Sequence, residues 1–83
     1  MKSYELVFEK EWSYRLLKSK SSEQYFLEVL CGGIGMYEVI IELDTEEIDR
    51  LKDEGERFIE DLAYKIGKNN SKYSERSVKI TFD

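Results

Sequence analysis

The stretch Leu43–Gly67, LDTEEIDRLKDEGERFIEDLAYKIG, constrains this chain more than any other. Its apolar residues Ile48, Leu51, Phe58, Ile59, Leu62, Ala63 and Ile66 fall at helical spacings and form one stripe of an amphipathic helix. Its start is marked. Asp44 suits the N-cap, Glu47 falls at N3 as in a capping box, and Leu43 and Ile48 stand where a hydrophobic staple forms. Acids crowd the first turn, Lys65 and Lys68 the last, and Gly67 offers a stop. Gly55 lies on the apolar side, where it serves close packing of one continuous helix or breaks it in two. We expect the continuous helix. It needs an apolar surface to lie on, and the flanking segments must supply it.

Those segments read as strands. Tyr4–Glu9 alternates, with Tyr4, Leu6 and Phe8 on one side and Glu5, Val7 and Glu9 on the other. Trp12–Lys18 follows a short turn at Lys10-Glu11, with Trp12, Tyr14 and Leu16 sharing a side. The turn Ser19–Ser22 leads to Gln24–Cys31, with Tyr25, Leu27, Val29 and Cys31 opposed to Phe26, Glu28 and Leu30. Glycines at 32, 33 and 35 mark the next turn, and Met36–Leu43 sets Tyr37, Val39, Ile41 and Leu43 against Glu38, Ile40 and Glu42. After the helix, Lys68–Glu75 is polar, and Arg76–Phe82 alternates again. The fold class expected is α+β, in the order β-β-β-β-α-β. Short connections favour an antiparallel five-stranded sheet with one long amphipathic helix packed on one face. The last strand is expected beside the first, antiparallel, or else parallel beside the fourth. Residues 1–83 make a single domain.

Composition narrows the function. The net charge is −5 and the pI about 4.8, which disfavours general nucleic-acid and anionic-membrane binding. The single cysteine, Cys31, cannot form an internal disulfide. The start lacks the apolar core of a signal peptide, and no apolar run is long enough to span a membrane, so a cytoplasmic location is expected.

No motif points to catalysis. Histidine is absent, which removes the commonest general base and metal ligand. We expect no enzyme, no catalytic residue, no cofactor and no metal. The most enzyme-like string, Cys31-Gly32-Gly33-Ile34-Gly35, could pair a thiol with a small-ligand or anion cradle. Residues 21–45 hold no lysine or arginine to activate the thiol, so the string reads as a hairpin turn. The carboxylates Glu46, Glu47, Asp49, Asp53, Glu54, Glu56, Glu60 and Asp61 read as a solvated helix face. The basic segment 65–76, with Lys65, Lys68, Lys72 and Arg76 around Tyr64 and Tyr73, could contact a nucleic-acid backbone. Four positive charges on an acidic chain make a weak footprint.

One helix covers one side of a sheet. The other side is expected to carry Val7, Leu17, Phe26, Leu30 and Ile40, ringed by Glu5, Glu9, Glu28, Glu38 and Glu42 with Arg15 and Lys79. An apolar centre with a charged rim is the anatomy of a protein interface. We therefore expect an interaction module, not an enzyme. The interface residues are Val7, Leu17, Phe26, Leu30, Ile40, Glu28, Glu38 and Glu42, and the partner is a basic protein or a second copy. A small acidic protein that masks a basic nuclease or toxin, as an immunity protein or antitoxin does, is of this physical type. The alternatives are a ligand or enzymatic site at Cys31–Gly35 and weak nucleic-acid binding through 65–76.

Overall fold

The computed structural model describes residues 4–11, 13–31 and 37–79. The elements are β1 (Tyr4–Lys10), β2 (Tyr14–Ser19), β3 (Tyr25–Cys31), β4 (Tyr37–Glu42), α1 (Thr45–Glu54), α2 (Glu56–Lys68) and α3 (Asn70–Tyr73). A short 3-10 turn, Ser74–Arg76, follows. The fold is α+β with an antiparallel sheet in the order β1-β2-β3-β4.

Pairing register fixes the faces, because directly opposed residues project to the same side. Phe8 stands opposite Leu16, Leu16 opposite Leu27, and Leu27 opposite Ile41. Tyr14, Val29 and Val39 form the next row. This face packs against Leu51, Phe58, Ile59, Leu62, Ala63 and Ile66 to make the core, with Leu16, Leu27, Ile41, Ile59 and Ile66 fully buried. The Tyr14 hydroxyl donates to Glu56 Oε2 at 3.0 Å, tying β2 to the start of α2. Burial and the adjoining acids push this phenol's pKa up.

Three expectations need correction. The first is the long helix. Its start is as expected: Asp44 Oδ1 accepts from Glu47 N–H at 2.8 Å, and Glu47 Oε1 accepts from Asp44 N–H at 2.9 Å. The helix does not run through, however. Gly55 has φ 69° and ψ −144°, a conformation that ends α1 and opens α2. The break keeps both apolar stripes on the sheet, and Arg50 lies over the Phe58 ring at 4.9 Å across it.

The second is the fifth strand. Among the described residues the sheet has four strands. Residues 70–76 are helical, and Tyr73 packs against the core. Arg76 donates to both carboxylate oxygens of Glu47, at 2.7 and 3.0 Å, and to the Glu42 carbonyl at 2.9 Å. These bonds bring the chain to β4, away from β1. There Ser77 makes an isolated antiparallel bridge to Ile41, and Val78 N–H donates to the Ile40 carbonyl at 2.8 Å. The segment thus lies beside the fourth strand, antiparallel, in neither of the expected arrangements. Residues 80–82 of the expected strand lie outside the described residues, as do Trp12 and the 32–36 turn.

The third is the phase of β1. The register shifts between Leu6 and Phe8, so Leu6 stands opposite Leu17 while Phe8 stands opposite Leu16. This β-bulge moves Tyr4 and Leu6 off the helix-facing side. The Tyr4 ring instead meets Phe26 edge to face, with centroids 5.6 Å apart.

Candidate functional site

The second face of the sheet holds most of the expected interface. Leu17, Phe26 and Glu42 form one cross-strand row, Arg15, Glu28 and Ile40 a second, and Leu30 pairs with Glu38. The bulge extends the first row with Leu6 and the second with Glu9. Val7 is the unpaired bulge residue. Val78, opposite Ile40 in the bridge geometry, adds an apolar residue, and Lys79, expected on this face, falls out of phase with it.

Exposure divides these residues. Leu17, Phe26 and Ile40 are only 5%, 5% and 7% exposed in the single chain, and Leu30 is half-buried. The apolar residues open to solvent are Leu6, at 49%, and Val7, at 38%, both on the edge strand β1. Glu9, Glu38 and Glu42 are exposed.

The electrostatics centre on Glu28, a carboxylate 7% exposed in the middle of the sheet. Burying it requires a partner. Arg15, opposite it on β2, donates from Nε to Glu28 Oε1 at 2.6 Å. The same bond raises the guanidinium's pKa. Glu38 shares a side-chain hydrogen bond with Glu28, and this bond, the like charge and partial burial push the Glu38 carboxyl above its ordinary value, against the pull of Arg15. A hollow of about 230 Å³ opens here, bordered among others by Glu9, Lys10, Arg15, Glu28, Leu30 and Glu38. Arg15 is the cation that the register places on this face among the described strand residues, and Glu28 already occupies it. The exposed acids Glu9 and Glu38 are left facing solvent.

The other candidate sites look different. The Cys31 thiol is buried, and burial pushes its pKa up. The glycines beside it lie outside the described residues. In the basic segment, Lys65 pairs with Asp61 at 3.3 Å, Lys68 lies over the Tyr64 ring at 5.4 Å, and Arg76 is held by Glu47. Among the described residues, no group of three or more Cys, Asp or Glu side chains is placed to hold a metal ion. No helix of the described residues is long and apolar enough to cross a membrane.

Sequence reasoning missed Leu6, Tyr4 and the Arg15–Glu28 pair. The bulge left no distinctive trace, since the apolar run Leu6-Val7-Phe8 has counterparts in Tyr25-Phe26-Leu27 and Val39-Ile40-Ile41, in strands whose pairing does not shift. The Arg15–Glu28 pairing depends on the register across the 19–24 turn, which side-chain pattern alone does not set. The chain matches no protein-family model, no curated protein and no solved structure.

Proposed function

We propose that this protein is a non-enzymatic interaction module that binds a basic protein partner through the acidic second face of its sheet. One observation carries the reading. The second face exposes Glu9, Glu38 and Glu42, while its cation, Arg15, is bound to Glu28. Exposed acids that outnumber the cation of their face steer a basic partner toward it and form the polar rim of a contact. The apolar contribution comes from Leu6 and Val7, since Leu17, Phe26 and Ile40 are buried within the chain.

Photo-crosslinking in the source cells tests this. A benzophenone side chain at position 38 samples the proposed face, and one at position 57, on the outer side of α2, serves as control. The reading expects adducts at position 38 with proteins of high pI, absent at position 57 and reduced several-fold by Glu9→Lys with Glu42→Lys. Adducts common to both positions, or untouched by the charge reversals, would contradict it.

A further inference from the structure

Resting on the basic-partner reading, we infer that the partner docks by adding an extended segment to the outer edge of β1, with basic side chains on both faces of the added strand. Among the described residues β1 stands at the edge of the sheet and pairs only with β2. Such an edge presents backbone donors and acceptors to any chain that can lie along it. Glu5, Leu6, Val7 and Glu9 on this strand are all exposed.

Charge complementarity selects the occupant. Glu5, Glu9 and the following Glu11 are exposed acids. The adjacent cation, Lys10, turns toward Glu60 on α2, 3.8 Å away. The bulge adds a requirement that the sequence pattern conceals. In a regular strand, residues four apart share a face. Here Glu5 stands opposite Lys18, in register with Tyr25 on the helix side, while Glu9 stands opposite Arg15 on the second face. An added strand reaches both acids only if it carries a basic residue on each side. Between them, Leu6 and Val7 ask for apolar neighbours. A second copy of β1 fits less well, because it would bring its own Glu5, Glu9 and Glu11 to an edge that already carries the same three exposed acids.

The test is an NMR titration of the labelled full chain with a short capped peptide of repeated Val-Val-Lys-Lys. A peptide of repeated Val-Pro-Lys-Lys, equal in charge but unable to continue a ladder, is the control. The inference expects shifts and slowed amide exchange along β1 with the first peptide. It also expects binding at least ten-fold weaker for the control, and several-fold weaker for Glu9→Lys, a surface change that leaves the fold intact. Equal binding of both peptides, with shifts around Glu38 and Glu42 and none in β1, would overturn strand addition and leave the basic-partner reading standing. Binding of neither peptide overturns strand addition. So does a wild-type dimer that Leu6→Lys disperses, which would make a second copy the occupant.

Discussion

At the residue scale, the pair Glu28 and Glu38 shows how one buried acid conditions its surroundings. Glu28 is held in place by Arg15, and Glu38 shares a hydrogen bond with the same carboxyl. Glu38 therefore takes up its proton more readily in the folded chain than in the unfolded one. Between the two pKa values folding binds a proton, so stability falls as pH rises through that window. The penalty is complete once the pH exceeds the raised folded value and absent below the ordinary carboxylate value, where Glu38 is protonated in both states. Glu38→Gln keeps a donor toward Glu28 and removes the repulsion. It is expected to stabilise the protein at pH 7, by less than about 1 kcal/mol because Glu38 is exposed. The gain should vanish as pH falls through the carboxylate range. Paired urea unfolding curves at neutral and acidic pH measure this. A pH-independent difference would show that Glu38 does not carry the shared proton.

At the element scale, Gly55 separates two helices that the sequence reads as one. An added Cβ there meets nothing within 4 Å, so space does not explain the glycine. Its φ of 69° with ψ of −144° does. L-residues avoid that region at a cost of about 1–3 kcal/mol. Gly55→Ala is therefore expected to lower the unfolding free energy by about that amount, with the denaturant midpoint shifted and the slope unchanged. An alanine variant as stable as the wild type would mean that α1 and α2 join into one helix. How legible these elements were depends on where their causes lie. The helix start was readable because Asp44 and Glu47 cap locally. The faces of β2, β3 and β4 agree with the two-residue period because the β2–β3 and β3–β4 pairings carry no register shift. The break was visible only as a glycine, since the apolar stripe runs on past it. The β1 bulge was nearly invisible, since it comes from pairing with β2. The end of the chain was misread because Arg76 chooses its partners, Glu47 and the Glu42 carbonyl, across 29 and 34 residues.

At the scale of the whole molecule, the helices bury one face of the sheet and the other remains acidic at its surface. Of the candidate interface, the sequence placed Leu17, Phe26, Leu30, Ile40, Glu28, Glu38 and Glu42 together on one face, and the pairing register does the same. What it could not give was depth. Phe26, expected as one of five residues in the apolar centre of a contact, is 5% exposed and part of the chain's own packing. The accessible apolar residues are at β1, which is also the edge. This moves the proposed contact from the middle of the sheet to its margin, where Leu6 and Val7 lie between acids.

The central claim is that this acidic margin stands free for a different, basic partner. Light scattering behind size exclusion at several micromolar concentrations tests it most directly, comparing the wild type with Leu6→Asp. The account predicts the same monomeric mass, 9.9 kDa for the wild-type chain, for both proteins at every concentration. A wild-type dimer that Leu6→Asp converts to a folded monomer would contradict it, because the margin would then be occupied by the chain's own copy.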